Sequence, residues 1–421
     1  MEQNDVVVIL GAGASVDAGI PASKSMVEAI ARQASPMEKQ SLSQILKYSP
    51  ACGEDIEWLY ASLRFLSRKE QEPGGKLLEL KPGLSLDSVK ALRHRAEIVI
   101  DRLLSRPIVE RAEWSAADYL AGLAKVHLDL DLPHIKIFTL NYDLSLEYAF
   151  KKKGIEYSTG FDTAGKTYGR YTGHYDASTQ IFKLHGSHSW RLVGPATDSP
   201  YGRSEAEIYL VELSLSEYRN EQRAASESDV RKRWSWVSPY GNVPPMIIAE
   251  VNKARVFEPY LSMHNAFHRS IESAKIVLCI GFSWRDEYIV NLLDNLANRP
   301  IVEMPWLIDL GVEPGQGVMN IAVGRKVVCV EGTAREALAG NTLQFHHGSI
   351  RIGGQTRSGT LQAILRDLLL EPDPHELFGR DHVRCRRCGA LVALPFPKED
   401  SDFQKTVGPL CDMCRIKLGV F

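Results

Sequence analysis

The strongest indication of the fold in this chain is the stretch VVVILGAGASVDAGIP, residues 6–21. Its leading run of aliphatic residues predicts a strand that is buried on both faces. Gly11 and Gly13 then allow a turn too tight for most side chains and let the backbone approach a ligand closely. We predict Ser15 as the N-cap of a helix that begins near it. A strand, a glycine turn and a helix N-terminus together predict a site for a diphosphate.

This stretch departs from the common dinucleotide-binding fingerprint. That fingerprint has a third glycine where this chain has Val16, and an acidic residue about 20 positions later that holds a ribose. Here the third glycine comes late, at Gly19, and no acidic residue ends a second strand near position 35. A phosphate loop for an ordinary redox cofactor therefore stays open as an alternative at this point.

The composition limits the classes of protein to which the chain can belong. Its 421 residues predict two or three structural units, and a hydrophobic share of 44% supports a sizeable core. The formal charge of −2 gives no signal for nucleic acid or for an anionic membrane. No apolar run reaches the about 18 residues of a membrane-spanning helix, and residues 1–5 lack the basic flank of a signal peptide. We therefore expect a cytoplasmic protein without a membrane partner.

The cysteines fall into two groups. Cys52, Cys279 and Cys329 are scattered along the chain, and the last two are expected to be buried free thiols. The others form two Cys-x-x-Cys pairs that enclose 22 residues: Cys385, Cys388, Cys411 and Cys414. Four thiolates at this spacing predict a structural Zn²⁺ site in a small ribbon, in a reducing compartment. The arginines around them leave nucleic-acid contact, protein docking and a purely structural role open.

The pattern is helical from the end of the first stretch to about residue 134. Candidate helices cover residues 23–34, 37–48, 54–68, 86–105 and 115–127. We interpret residues 22–130 as a helical insertion after the first βα unit. Such an insertion would either cover a nucleotide cleft or build a contact between subunits.

Two later apolar runs end in polar residues. They are residues 135–143 (IKIFTLNYD) and residues 180–187 (QIFKLHGS). Ligands of doubly wound sheets lie at the carboxyl ends of the strands, which is where Thr139, Asn141 and Asp143 are expected. His185 is expected at the next such end, and a histidine is the natural general base near neutral pH. A helix N-cap at Asp143 and a structural role for His185 stay open.

Together these segments resemble the sirtuin family of NAD-consuming enzymes. Sirtuins carry a glycine turn with Ser and Gly-Ile-Pro, then Thr-x-Asn-x-Asp, then Leu-His-Gly, and this chain has all three in that order. A later strand end with Gly281, Ser283 and Asp286 resembles the part that meets the adenosine side of NAD, and the Asp286 extension resembles the bacterial sirtuin-like branch. The pair Gly332-Thr333 is similar to the last adenine contact. The resemblance spans about residues 5–340.

The chain departs from the deacylating sirtuins in two places. Their Asp-Phe-Arg after Gly-Ile-Pro is replaced here by Ala22, Ser23 and Lys24. Their paired zinc-binding cysteines after the catalytic histidine have no counterpart, because residues 186–275 contain no cysteine. The resemblance therefore favours an NAD hydrolase. A protein deacylase or ADP-ribosyltransferase, and a non-catalytic NAD- or ADP-ribose-binding subunit, are the alternatives.

The resemblance implies roles for particular residues in cleavage of the nicotinamide–ribose bond of NAD, the expected substrate. Asn141 would hold a ribose hydroxyl and the attacking water, and His185 would accept a proton. Asp143 would hold the nicotinamide carboxamide. The other residues expected to bind NAD are Gly11, Ala12, Gly13, Ser15, Gly19, Thr139, Gly281, Ser283, Asp286, Gly332 and Thr333.

The expected fold is α/β, a doubly wound parallel (Rossmann-like) sheet of sirtuin type with helical insertions and a small C-terminal zinc ribbon. The expected domains are a catalytic domain at 1–340, a helical extension and linker at 341–380, and the ribbon at 381–421. The resemblance further implies an NAD-depleting effector of bacterial antiphage defence that forms a homo-oligomer. A partner ATPase or a nucleic-acid-guided protein would control it.

Overall fold

The computed structural model describes most of the chain. The described residues are 6–68, 84–105, 115–162, 168–193, 207–211, 258–297, 305–312, 326–347, 356–370, 382–384 and 391–393. The strands are β1 Val6–Leu10, β2 Ile135–Thr139, β3 Phe161–Asp162, β4 Tyr168–Tyr171, β5 Thr179–Lys183, β6 Trp190–Val193, β7 Glu207–Val211, β8 Ile276–Ile280, β9 Trp306–Gly311, β10 Val327–Glu331, β11 Leu343–His347, β12 Thr356–Gly359, β13 His382–Arg384 and β14 Leu391–Ala393. The helices are α1 Gly13–Val16, α2 Ser23–Gln33, α3 Pro36–Tyr48, α4 Ala51–Glu54, α5 Ile56–Arg68, α6 Leu86–Leu104, α7 Gly122–Asp129, α8 Ser145–Lys153, α9 Tyr260–Ser273, α10 Glu287–Ala297, α11 Ala334–Leu338 and α12 Leu361–Leu370, with a 3₁₀-helix at Asp118–Ala121.

The chain divides into two compact units, and each unit is made of separate segments of the sequence. Unit 1 comprises Met1–Ile9, Lys125–Ile135 and His268–Phe421. Unit 2 comprises Leu10–Ala124 and Lys136–Phe267. The domain boundaries expected from the sequence, at 340/341 and 380/381, remain predictions.

Unit 1 is built on neighbouring strands in the order β12-β11-β10-β9-β8-β1. The strands β8, β9 and β10 run parallel, and all five residues of β8 are buried. Such fully apolar strands suit a parallel sheet that is covered on both faces. The structure confirms the α/β class and a mostly parallel sheet. It departs from the purely parallel prediction at one edge, where β11 and β12 pair antiparallel.

The described part of residues 22–130 is helical, as the periodicity of the sequence predicts. Local signals fix where α3 and α6 begin. Ser35 caps α3 through the Glu38 backbone N–H while the Glu38 side chain accepts from the Ser35 N–H, and Pro36 opens the first turn. Ser85 makes the equivalent box with Ser88 at the start of α6.

One partly buried ion pair connects α3 and α6. The Glu38 carboxylate accepts from Arg95 Nε at 2.7 Å and from Arg95 Nη2 at 3.2 Å. Burial by itself would raise the pKa of Glu38, but hydrogen bonds from Arg95 and Ser35 outweigh it and lower the pKa. A carboxylate whose pKa is lowered by folding stabilises the fold above its unfolded pKa, and this contribution disappears as the pH falls through the folded pKa.

We therefore expect Arg95→Gln to destabilise the protein at neutral pH. The expected loss in free energy of unfolding is about 1–2 kcal/mol, at the low end for a charged hydrogen bond because Arg95 is partly exposed. The difference from wild type should shrink as the pH falls below about 4.3, since the unfolded wild-type chain then takes up a proton at Glu38 that the folded state disfavours. Urea unfolding at pH 7 and pH 3.5 measures it, with exposed Arg102→Gln on the same helix as the control. An equal loss at both pH values would contradict the assignment.

Unit 2 also contains strands that the sequence did not indicate. β3, β4, β7 and β6 form a small antiparallel sheet in that order. Trp190, at the start of β6, is buried, with its ring 5.3 Å from Phe161 and 5.6 Å from Tyr260. These strands are too short and too irregular in polarity to stand out in the sequence. Trp190 is thus part of a hydrophobic core.

Residues 341–380 were predicted as a helical extension and linker. The described residues of this segment form the helix α12 and also the strands β11 and β12. Arg366 on α12 donates to the carbonyl of Asp129 at 3.0 Å within unit 1. Strands β13 and β14 pair antiparallel. No helix in the described ranges is both long enough and apolar enough to cross a membrane.

Candidate functional site

The glycine turn leads from β1 into a single helical turn. Ala14 N–H donates to the Gly11 carbonyl at 3.0 Å, and Ser15 N–H donates to the Ala12 carbonyl at 3.1 Å. The predicted N-cap at Ser15 is wrong, because Ser15 lies inside α1 and Ala12 precedes the helix. Gly19 has a φ of +85° and closes the turn after α1, a backbone conformation that favours glycine. Ala12 and Gly13 are exposed on this turn.

Asn141 connects the end of β2 to the glycine turn. Its side-chain Nδ2 donates to the Gly11 carbonyl at 2.9 Å and to Ser15 Oγ at 3.1 Å. Both acceptors lie on the Nδ2 side, so the orientation of the amide is determined by its partners. No hydrogen bond within the described part of the chain occupies Oδ1. The buried amide is therefore fixed with both of its N–H groups used and its oxygen available as an acceptor.

Thr139 and Asp143 shape the loop that carries Asn141. Thr139 Oγ1 accepts from the Asn141 backbone N–H at 3.0 Å. Asp143 Oδ1 accepts from the Ser145 N–H at 2.9 Å, at the start of α8. Leu144 takes the formal N-cap position without a side-chain bond, so the Asp143 carboxylate does the capping. Of the two roles that the sequence left open for Asp143, the helix start is the one with a contact.

A buried lysine, which the sequence did not single out, contacts the backbone of this loop. Lys183 Nζ donates to the carbonyl of Asp143, contacts the Asn141 carbonyl at 3.4 Å, and pairs with Glu147 at 3.0 Å. Burial raises the pKa of Glu147, and Lys183 acts in the opposite direction. The signal in the sequence is a lysine that lies between the apolar pair Ile181-Phe182 and Leu184, directly before His185.

His185 follows β5 next to the loop that carries Asn141. Leu184 N–H donates to the Thr139 carbonyl at 3.0 Å, and His188 N–H donates to the Tyr142 carbonyl at 2.8 Å. These bonds place the two predicted catalytic residues on adjoining strand ends in unit 2. Gly186, with a φ of +92°, turns the chain directly after His185. The His185 side chain is buried.

A carboxylate from the helical segment at residues 22–130 faces His185. Glu57 Oε1 lies 3.7 Å from His185 Nδ1 and accepts from the Tyr142 hydroxyl at 2.9 Å. Glu57 stands in the first turn of α5, where its N–H donates to Asp55 Oδ1 at 2.8 Å. Sequence reasoning missed Glu57, because acidic residues are common in the first turn of helices.

Ser23 places the start of α5. Its hydroxyl donates to Asp55 Oδ1 at 3.2 Å and accepts from the Ile56 N–H at 2.7 Å. Ser23 is one of the residues that replace the Asp-Phe-Arg of the deacylating sirtuins. Its hydroxyl thus has a structural task in positioning the helix that carries Glu57.

A second histidine of the same loop has a carboxylate partner from another helix. His188 Nε2 lies 2.8 Å from Asp101 Oδ1 on α6, and the His188 ring is fully buried. On the other side, His264 Nε2 of α9 contacts the Leu184 carbonyl at 3.2 Å. The histidine loop is therefore held by side chains from α5, α6 and α9.

Unit 1 carries the predicted adenosine-side residues. Gly281, with a φ of +60°, follows β8 and donates to the Leu310 carbonyl at 2.9 Å. Ser283 is exposed on the loop that follows. Asp286 Oδ1 accepts from the N–H groups of Tyr288 and Ile289 at 3.1 and 3.2 Å, so this oxygen caps α10.

The predicted residues Gly332 and Thr333 lie at the end of β10. Gly332 N–H donates to the Gly311 carbonyl at 3.0 Å, next to the Leu310 carbonyl that Gly281 contacts. Both predicted strand ends thus meet the end of β9 in unit 1. Thr333 caps α11 through the Glu336 N–H. A surface cavity of about 470 Å³ is lined by Gly332 and Thr333 together with Glu331, Glu336 and Asn341.

The zinc prediction concerns a part of the chain that is not described. Cys385, Cys388, Cys411 and Cys414 lie outside the described residues. Within the described ranges, no group of three or more His, Cys, Asp or Glu side chains could hold a metal ion. The expectation that Cys279 and Cys329 are buried free thiols is confirmed, and Cys52 is buried and free as well.

A family model described as a SIR2-like domain matches residues 135–300. The matched segment contains Asn141, Asp143, His185 and Gly281. Together with the α/β architecture, this match makes the fold sirtuin-like. Among curated proteins, no sequence matches this chain significantly.

Several solved Sir2 structures are similar at low identity. One was determined for the mechanism and regulation of Sir2 enzymes (TM-score 0.40, 16% identity, covering 80% of this chain and 90% of that one). Another is a complex of a Sir2 homologue with NAD (TM-score 0.41, 14% identity, 80% and 87%). A third is Sir2Tm bound to a propionylated peptide (TM-score 0.37, 12% identity, 80% and 92%). At such scores and identities, these likenesses carry no argument about activity.

Proposed function

We propose that this protein is an NAD glycohydrolase, which cleaves the nicotinamide–ribose bond and releases ADP-ribose and nicotinamide. The observation that carries the proposal is the junction of Gly11, Asn141 and His185 in unit 2. Asn141 bonds the turn after β1, and His185 stands on the adjoining strand end. The match of residues 135–300 to the SIR2-like domain supports NAD as the ligand.

The chemistry that this site must supply is modest. Nicotinamide leaves as a neutral pyridine and takes the electron pair of the broken C–N bond, so no general acid is needed. The ribose carbon develops positive charge in an oxocarbenium-like transition state and is attacked by water. Asn141 Oδ1 would accept a hydrogen bond from that water or from a ribose hydroxyl. His185 would take the proton that the nucleophile releases.

Other predicted residues would bind the rest of the nucleotide. The Ser15 hydroxyl, which accepts from Asn141, would donate its own proton to a phosphate oxygen, and the backbone N–H groups of Ala12 and Gly13, two exposed residues, would assist it. Asp143 uses Oδ1 for α8 and would offer its other oxygen to the carboxamide. That Gly281 and Gly332 bind the adenosine part remains a prediction from the sequence resemblance.

Incubation with NAD alone tests the proposal. We expect ADP-ribose and nicotinamide in equal amounts, detected by chromatography, without any second substrate. Cleavage that requires an acylated peptide, or ADP-ribose transferred to a protein, would identify a deacylase or a transferase instead. NAD that binds in calorimetry and stays intact with every partner present would identify a binding subunit.

The biological role proposed for this activity is depletion of cytoplasmic NAD during bacterial antiphage defence. This role follows from the sirtuin-like branch that the sequence resembles, and it includes a homo-oligomer and control by an ATPase or a nucleic-acid-guided partner. Cells that carry the protein with its partner should lose NAD after phage infection. Cells with an Asn141→Ala variant should keep their NAD, and equal loss in both would contradict the role.

We further propose that the C-terminal cysteines bind one Zn²⁺ ion. Four thiolates in two Cys-x-x-Cys pairs are the usual donors of a closed tetrahedral site, and so short a segment would gain most of its folding energy from the metal. Metal analysis should give about one zinc per chain in the wild type. The double variant Cys385→Ser with Cys411→Ser should give none, while Cys52→Ser should keep the metal. Zinc retained by the double variant would contradict the assignment.

A further inference from the structure

The helical segment brings a carboxylate to each of the two histidines in the loop after β5. Glu57 on α5 faces His185, and Asp101 on α6 faces His188. The histidines flank Gly186 and Ser187, so side chains of two different helices contact the two ends of one short loop. The helical segment therefore contacts the histidine loop directly, through these two carboxylates.

We infer that Glu57 is a positioning residue for His185. Its carboxylate holds the Nδ1 proton of the imidazole, so that Nε2 is the nitrogen that takes the proton of the attacking water or ribose hydroxyl. This inference rests on the proposed function for its catalytic consequence. The contact between Glu57 and His185 is testable without it.

The geometry supports this role in two ways. The distance of 3.7 Å between Glu57 Oε1 and His185 Nδ1 is slightly long for a hydrogen bond, as is common at catalytic contacts before substrate binds. Glu57 is also held in place at the start of its helix. Its backbone N–H donates to Asp55 Oδ1, and the Ile56 N–H donates to the Ser23 hydroxyl. A carboxylate anchored by its own helix can hold an imidazole in one orientation.

The balance of charge also favours Glu57. When Nε2 takes a proton, the imidazole becomes a buried cation, which is costly without a nearby negative charge. Glu57 supplies that charge from α5. The hydroxyl of Tyr142 donates to the same carboxylate oxygen, and the charge of Lys183 is balanced by its own partner, Glu147.

The decisive variant is Glu57→Gln, which keeps the size of the side chain and an oxygen for the Tyr142 hydroxyl. We expect kcat for NAD cleavage to fall by about 10- to 100-fold while KM changes by less than about 3-fold. The acidic limb of the pH–rate profile should move to lower pH by about one unit, because the imidazolium loses its counter-charge. Glu57→Asp, which keeps the charge on a shorter side chain, should restore part of kcat.

The matched control is Glu54→Gln. Glu54 lies three positions earlier, is more than half exposed and pairs with Lys24 at the surface, so this variant should have wild-type kcat. Nitrogen-15 NMR of the His185 ring gives a readout that does not depend on turnover. The wild type should show the proton on Nδ1, and Glu57→Gln should show a mixture of tautomers.

The outcomes separate this inference from the proposed function. If the wild type cleaves NAD while Glu57→Gln matches Glu54→Gln in kcat and tautomer, the positioning role is wrong. If the wild type cleaves no NAD but the tautomer changes as expected, the contact stands and the hydrolase proposal fails. If Glu57→Gln does not fold, Glu57→Asp decides through the same two measurements. A folded Glu57→Asp with a mixed tautomer and no recovery of kcat would overturn the role.

Discussion

Replacing His185 by Ala is expected to slow NAD cleavage by about 10²- to 10⁴-fold, the usual effect of removing a general base. His185 is buried at the end of β5, beside the loop that carries Asn141, where it is the proposed proton acceptor. Binding of NAD should change little, because the glycine turn and Asn141 remain. Single-turnover cleavage and calorimetry with NAD measure the two effects separately.

The control for this variant is His174→Ala, which changes an exposed histidine of unit 2. It should have wild-type activity and stability. Asn141→Ala should be as inactive as His185→Ala. Since Asn141 also bonds Gly11 and Ser15, that variant should in addition bind NAD more weakly. If both alanine variants keep the activity of His174→Ala, the site is not the place of catalysis.

The second large effect concerns stability. Lys183→Met should lower the free energy of unfolding by about 3–5 kcal/mol, because it leaves Glu147 buried without its cation. It also removes the donor to the carbonyls of Asn141 and Asp143, so NAD cleavage should fall together with stability. Urea unfolding gives the energy. Lys39→Met, which changes an exposed lysine on α3, is the matched control and should lose less than about 0.5 kcal/mol.

The double variant Lys183→Met with Glu147→Gln separates the ion pair from the loss of packing. Removing the unpaired charge should recover part of the stability that Lys183→Met loses. Because burial raises the pKa of Glu147, the carboxylate takes up a proton more easily as the pH falls. The gap between Lys183→Met and wild type should therefore narrow at lower pH. A gap that is constant from pH 5 to pH 8, with no recovery in the double variant, would contradict the pairing.

The strands and their polar ends were readable from the sequence. The runs that become β1 and β8 are apolar throughout, and those that become β2 and β5 are apolar at their centre, as suits strands that are buried on both faces. Each run stops where a polar residue or glycine begins, which is why Asn141 and His185 could be placed at strand ends. Approximate helix bounds followed from periodicity, and the structure adds that Ser35 and Ser85 cap two of these helices.

The sequence was less informative where two local roles compete for one side chain. The sequence around Ser15 and around Asp143 is compatible with a helix cap at each residue. Only the fold shows which of the two residues caps a helix. Ser15 lies within α1 and accepts from Asn141, whereas Asp143 does cap a helix. The prediction of a parallel sheet was wrong at β11 and β12, because strand direction depends on the neighbouring strand and leaves little trace in composition.

The sequence by itself determined an α/β fold, its strand ends and the residues at those ends, because hydrophobic burial and backbone conformation are local properties. Only the tertiary structure brought Glu57 to His185, Asp101 to His188 and Lys183 beneath Asn141. The contacts that build the candidate site join residues 40 to 130 positions apart, from Lys183 with Asp143 to Asn141 with Gly11. A charged side chain on a helix reads as solvated until a neighbouring element covers it, and the partner that neutralises it is chosen by packing.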